Sequence, residues 1–297
     1  MEKIIDSDNI DKRLDMYLSN ELNESRSLIL KNIKNGNIKV NNNIVKGGYL
    51  LRLNDVVSIG DLKVDTSVKA ESIPLDILYE DEYIMVVNKP SGMVVHPGNG
   101  NYSGTLVNAL MGYTEDLSDS EGDNRAGIVH RIDKDTSGIL LIAKSNRAHK
   151  VLSEGFKNKT IHRKYIALVY GVINESKGKI DAPIGRSSID RKKMAVSDKN
   201  SKRAVTTFRV IDRYKDATLV ELILETGRTH QIRVHMDYIG HSVVNDPLYG
   251  KHKIINDFGQ MLHAYYLGFN HPITNEFMEF SVKEPKEFDE ILDMFKN

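Results

Sequence analysis

The chain has 297 residues, 40% hydrophobic and 28% charged, the proportions of a globular protein long enough for one large domain or a small one joined to a medium one. Lys plus Arg and Asp plus Glu both number 41, so the zero net charge gives no global sign of a polyanionic partner. Absence of cysteine excludes disulfides, a thiolate nucleophile and sulfur-ligated metal centres. With no signal-peptide core at Met1–Asp6 and no apolar run of about 18 residues, a cytoplasmic setting without membrane insertion is expected.

The first sixty residues read as a module of their own. Leu14, Tyr17 and Leu18 are spaced like one helix face, and Ser25 stands where it can cap a second helix, carrying Leu28, Ile29, Leu30 and Ile33, that stops near Gly36. Residues 37–41 then alternate with period two, Asn41–Asn43 is turn chemistry, and Leu51, Val56, Val57 and Ile59 suggest further short strands. Between residues 26 and 52 lie Arg26, Lys31, Lys34, Lys39, Lys46 and Arg52 and no acidic residue. On charge alone this is either a solvated face or a phosphate-backbone footprint.

Residues 61–74 are polar and aperiodic and read as a linker, which leaves 75–297 as a second domain. Its strand-like runs are 83–87, 127–132, 138–143, 165–170, 206–210 and 218–224. Helix spacing appears at 106–111 and again through Ile232, His235, Met236 and Ile239, ending at Gly240. Strands outnumber helices without alternating regularly with them, so the expected class is α+β with a mixed, mainly antiparallel sheet, plus the small N-terminal α/β module. Residues 112–123 hold Glu115, Asp116, Asp119, Glu121 and Asp123 and read as a mobile acidic loop.

Four polar clusters could do chemistry. Residues 130–138 (HRIDKDTSG) place ionisable groups between two apolar runs, where they need a partner or a role, although a solvated turn is the plain alternative. In residues 226–235 (TGRTHQIRVH), Gly227 permits a sharp turn and Arg228 stands near a helix start, poised to meet an anion. His230 and His235 are five apart, about 140° round a helix, unlike a zinc-binding pair. Tyr165, after Arg163 and Lys164, opens a strand and on general grounds is a core residue. The stretch from Arg186 to Arg203, with Arg191, Lys192 and Lys193, is a solvated loop or an RNA contact.

Taken together the pieces resemble known families. Residues 11–60, through Arg13-Leu14-Asp15, Ser25-Arg26-Ser27, Ile33, Gly36, Ile38, Val40-Asn41, Lys46 and Asp55, resemble the alpha-L RNA-binding motif shared by a ribosomal small-subunit protein and several RNA-modifying enzymes. The whole chain resembles the RluA/RluD family of RNA pseudouridine synthases. The matching segments are residues 88–97 (NKPSGMVVHP), His130-Arg131-Ile132-Asp133 with Thr136-Ser137-Gly138, Arg163-Lys164-Tyr165, residues 226–235, residues 245–250 (NDPLYG) and His263-Ala264. Ile132 stands where leucine is more usual, a volume-conserving change.

The resemblance implies an isomerase, without metal or organic cofactor, that detaches uracil from ribose at nitrogen and rejoins it through carbon 5. Asp133 stands in the place of the family's nucleophile, and a fixed cation is expected beside it, assigned by analogy to Arg228. The target uridine must be flipped out of its helix, with Arg131 helping the exchange, Tyr165 stacking on the base and Ile232 lining the pocket floor. Lys134, Asp135 and His235 are expected to be supporting groups. RNA-binding candidates are Arg13, Arg26, Lys31, Lys34, Lys39 and Lys46 in the module, and Arg186, Arg191, Lys192 and Lys193 beyond it.

The N-terminal module and residues 191–196 resemble the branch acting on large-subunit (23S) ribosomal RNA, with transfer RNA the alternative substrate and a monomer the expected state. Two other classes compete: a noncatalytic RNA-binding or ribosome-assembly factor, and a hydrolase that would need a second carboxylate, Asp135 or Asp246, opposite Asp133.

Overall fold

The computed structural model describes residues 1–62, 68–98, 101–120, 125–250 and 252–296. The chain divides into two units, residues 1–67 and 68–297.

In the first unit, β1 (Glu2–Ile4), α1 (Leu14–Glu21), α2 (Arg26–Lys34), β2 (Ile38–Val40) and β3 (Val56–Ile59) follow in order, and β3 pairs antiparallel with both other strands. Ser25 caps α2 by accepting from the Leu28 N–H, as its position before an apolar-periodic run predicts. Gly36 then takes φ of +77°, the left-handed turn that lets the chain leave the helix. Leu14, Leu18, Ile29 and Ile33 bury the inner faces of the two helices against Ile38, Val40, Val57 and Ile59.

The second unit contains β4 (Asp76–Glu80), β5 (Ile84–Lys89), α3 (Leu106–Tyr113), β6 (Ser137–Ala143), α4 (Asn146–Asn158), β7 (His162–Tyr170) and β8 (Lys177–Asp181). After them come β9 (Ile184–Arg186), β10 (Met194–Val196), β11 (Ser201–Lys202), β12 (Val205–Arg213), β13 (Ala217–Leu224), α5 (Gln231–Tyr238), β14 (Leu262–Asn270), β15 (Phe277–Ser281) and α6 (Lys286–Lys296). Nine strands make one sheet in the order β4-β5-β6-β14-β7-β13-β12-β8, with β15 on β14. All its pairs are antiparallel except β14 with β6, so the sheet is mixed and mainly antiparallel. Central β6 is buried at all seven positions: Leu140 and Ile142 face one core cluster, Ile139, Leu141 and Ala143 the other. Strands β9, β10 and β11 form a separate small sheet.

Four features differ from the sequence reading. Residues 127–132 are not a strand, since only Ile128 bridges to β6, opposite Ile142. Farther along, the Leu141 N–H donates to His130 Nε2 at 2.8 Å, a side chain taking the place of a ladder carbonyl. The linker is shorter than 61–74: Val68 is in the core of the second unit, and the Glu71 N–H donates to the Asn108 carbonyl at 2.9 Å. The acidic stretch 112–123 opens inside α3, and at Ser118 it is packed, the hydroxyl hydrogen-bonded to Asn146 and to the His149 ring; residues 121–123 lie outside the described residues. The sequence pattern also gives no sign of β1, β4, α4, β8, β9, β10, β11, β14, β15 and α6.

Candidate active site

Asp133 sits in the connection between Ile128 and β6, and three constraints shape that connection. Ile132 is buried, anchoring the chain immediately before Asp133. At the far end Gly138 lies opposite Ala264 in the parallel pair, where φ is +117° and a Cβ would come within 2.2 Å of the Ala264 carbonyl oxygen; only glycine fits. Behind the loop the fully buried Lys89 ammonium donates to the carbonyls of Pro90 (2.6 Å), Met93 (2.8 Å) and Lys134 (2.9 Å). Three donors meet three acceptors, so the ammonium staples the end of β5 to the loop that carries Asp133.

The cation beside Asp133 is Arg233, not Arg228. From α5, Arg233 Nη1 donates to Asp133 Oδ2 at 2.9 Å, while Nε and Nη2 donate to the two oxygens of Asp246 at 2.6 and 2.8 Å. The Asp246 side chain is fully buried and also accepts the N–H groups of Leu248 and Tyr249, so it fixes the guanidinium from behind. Burial opposes the charge of Arg233, but its hydrogen bonds to Asp246 and the fields of both carboxylates outweigh it and raise its pKa. Arg228 instead donates from Nε to the Arg203 carbonyl, and its N–H to Gln231 Oε1. Gln231 holds the whole turn, accepting also from Thr226 and donating to Val205 and Thr206.

Asp133 opens into a cleft of about 330 Å³ whose lining also includes Arg131, Tyr165, Arg228 and Ile232, so all five expected site residues meet there. Tyr165, on β7, is 5% exposed, and burial raises its phenol pKa, leaving a neutral aromatic surface against the cavity. Arg131 is exposed at the same cleft. Sequence reasoning missed one wall, in which the His130 ring stacks on Phe156 at 4.5 Å and Arg163 lies 5.1 Å from the Phe156 centroid. Phe156 belongs to the unanticipated α4. Gly227 accommodates this wall, since a Cβ there would come within 3.0 Å of Arg163 Nη1. His230 and His235 diverge: His230 Nδ1 faces the Tyr249 hydroxyl, while His235 bonds to Thr206 and the Ala182 carbonyl.

Residues 83–238, more than half of the chain, match the family model described as RNA pseudouridylate synthase. The chain belongs to the RNA pseudouridine synthase family. Residues 12–57 match the S4 domain, so this pseudouridine synthase carries an S4 RNA-binding domain at its N-terminal end. It is 49% identical over 284 residues to an uncharacterised RNA pseudouridine synthase of Bacillus subtilis, covering 95% of this chain and 93% of that protein. It is also similar to proteins named ribosomal large subunit pseudouridine synthase D: 49% identical in Zymomonas mobilis (75% of this chain, 74% of the other) and 40% in Pseudomonas aeruginosa (96% and 92%). Among solved structures, human RNA pseudouridylate synthase domain containing 1 superposes with a TM-score of 0.61 at 29% identity, over 73% of this chain and 86% of that one.

In this pseudouridine synthase the RNA-binding candidates fall into distinct states. Within the S4 domain Arg13 and Arg26 both bond the buried Asp15 carboxylate, at distances of 2.7 to 3.0 Å, which points two half-exposed guanidiniums outward in fixed orientations. Lys34 and Lys46 are exposed, Lys31 and Lys39 half-buried. In the second unit Arg186, Arg191 and Lys192 are exposed on the hairpin formed by β9 and β10. There Arg186 donates to the Arg191 carbonyl, and Lys193 lies 5.9 Å from the Tyr249 ring. Among the described cleft-lining residues Asp133 is the one carboxylate: Asp246 is behind Arg233, and Asp135 packs against Gly259. The paired acids of a glycoside hydrolase are therefore not assembled here.

Proposed function

We propose that this enzyme isomerises uridines of large-subunit ribosomal RNA, with Asp133 acting on a uridine flipped out of its helix. The observation that carries the chemistry is the division of labour at the carboxylate. Oδ2 is held by Arg233, whereas Oδ1 is left facing the cleft. A part-buried anion with its counter-charge fixed at one oxygen presents the other as nucleophile or base in constant orientation. During the reaction the C1′–N1 bond breaks, the ring turns, C5 bonds to C1′, the C5 proton leaves to solvent and N1 gains one, so no co-reactant is needed.

A uridine inside a helix is out of reach of a recessed carboxylate, and extruding it costs a few kcal/mol of stacking and pairing. In this reading Arg131, exposed at the cleft, compensates the vacated stack, and Tyr165 and Ile232 receive the base. Substrate class is carried by likeness: several relatives bear the name ribosomal large subunit pseudouridine synthase D. Pseudouridine mapping across total RNA of a strain lacking the protein tests both parts. The expected result is loss of sites in large-subunit ribosomal RNA, restored by the wild-type protein and not by Asp133→Asn. Loss confined to transfer RNA would overturn the substrate reading, and restoration by Asp133→Asn would overturn the chemistry.

A further inference from the structure

We propose that His230 is a further catalytic residue, donating Nε2–H to the uracil carbonyl oxygen beside the glycosidic nitrogen as the C1′–N1 bond breaks. This rests on the reading of Asp133 given above. The argument begins with a hydrogen-bond chain that fixes which ring nitrogen carries the proton. The Met194 N–H donates to Tyr249 Oη at 2.8 Å, and Tyr249 Oη lies 2.9 Å from His230 Nδ1. Tyr249 is buried, and Nδ1 is the acceptor in reach of its hydroxyl proton among the described residues. Nδ1 is therefore the acceptor, and the neutral ring bears its proton on Nε2.

His230 Nε2 lies beside the reacting carboxylate. It is 4.0 Å from Asp133 Oδ1, the oxygen that Arg233 leaves open. This exceeds an N–H···O hydrogen bond, so donor and carboxylate flank a gap in which a substrate atom lies within reach of both. His230 lines the same cleft. Its backbone takes φ of +55° at the N-cap of α5, a left-handed conformation uncommon for a side-chain-bearing residue, maintained here by the surrounding bonds. Burial lowers the His230 pKa against the opposing field of Asp133, with Arg233 adding to the lowering, so the ring is neutral at pH 7.

Whichever bond Asp133 makes first, breaking C1′–N1 leaves the electron pair on the uracil ring, shared between N1 and its carbonyl oxygens. A fixed neutral donor at the adjacent carbonyl oxygen stabilises that charge and transfers no proton.

The test uses the full-length enzyme and in-vitro-transcribed large-subunit ribosomal RNA labelled with tritium at uracil C5, under single-turnover conditions. His230→Gln keeps an N–H near the Nε2 position, whereas His230→Asn keeps a polar group only near Nδ1. The expected rate falls about 100-fold in His230→Ala and His230→Asn and recovers to within about tenfold of wild type in His230→Gln, with the RNA Kd unchanged in all three. Tyr249→Phe, which releases the tautomer, falls about tenfold. A His230→Ala rate within twofold of wild type, a His230→Gln rate as low as that of His230→Asn, or a loss confined to Kd would overturn the proposal. Asp133→Asn runs in parallel. If it is inactive while His230→Ala is fully active, only the His230 assignment fails; if it is active, the reading of Asp133 fails first.

Discussion

Arg233 is shared by two carboxylates, and its removal is felt in both folding and chemistry. Arg233→Met would leave Asp246, whose side chain is fully buried, without its cation, which costs about 3–5 kcal/mol. Thermal unfolding should show the loss directly. Arg233→Lys keeps the charge but cannot bond Asp133 and Asp246 through three separate N–H groups in a planar fork, so turnover should fall at least about 100-fold even in the fraction that folds. Arg228→Met, by contrast, removes a bond to one carbonyl; unfolding should shift by less than about 1 kcal/mol. Equal destabilisation by the two substitutions would contradict this assignment. Asp133 was legible from its motif, but its partner was not. Arg228 follows a glycine and looked exposed and available, whereas the signal at Arg233 was an arginine between Ile232 and Val234 in a helix. Arg233 is in fact buried, and a buried guanidinium is found paired with acids, here Asp246 as well as Asp133.

Elements follow the same division between local and long-range information. The caps and turns of α1, α2, β2 and β3 were readable because Ser25, Gly36 and the Asn41–Asn43 turn act within a few residues of themselves. Residues 127–132 looked like a strand because they are apolar. Gly127, Ile128 and Ile132 are buried without a ladder because His130 and a bridging Ile128 take up β6 groups, and Lys89, 45 residues from Lys134, holds the loop beyond. Helix α4 hid behind a polar composition with only Ala148, His149 and Leu152 buried, though Ser145 caps it. Lys89→Met should strand three carbonyl acceptors and destabilise the second unit by about 3 kcal/mol, measurable by denaturant titration. In the first unit Arg13 and then Arg26 hold the Asp15 carboxylate down from 3.8 to about 2. A depressed acid contributes stability that is present above its unfolded value and lost as pH falls through its folded one. The S4 domain should therefore lose roughly 1–2 kcal/mol between pH 4 and pH 2, an amount reduced by the half-exposure of both guanidiniums and absent in Asp15→Asn.

At the level of the whole molecule, zero net charge conceals a partition. Basic residues outnumber acidic ones in the S4 domain and on the β9–β10 hairpin, and an excess of acids elsewhere balances them. Replacing Lys34, Lys39 and Lys46 together by alanine should weaken RNA binding across all sequences and lower the log Kd against log salt slope by about 2, while the single-turnover rate at saturating RNA stays near wild type. A changed saturated rate with unchanged affinity would contradict a purely anchoring role for these lysines. In the proposed mechanism the chemistry converges on one oxygen atom, Asp133 Oδ1, in a cleft lined by the loop before β6, by β7 and by α5. Tritium release from RNA labelled at uracil C5, measured with purified Asp133→Asn enzyme that retains its fold and its RNA affinity, tests this claim most directly. Release should fall to background; release at the wild-type rate would show that the carboxylate of Asp133 is not what transforms the uridine.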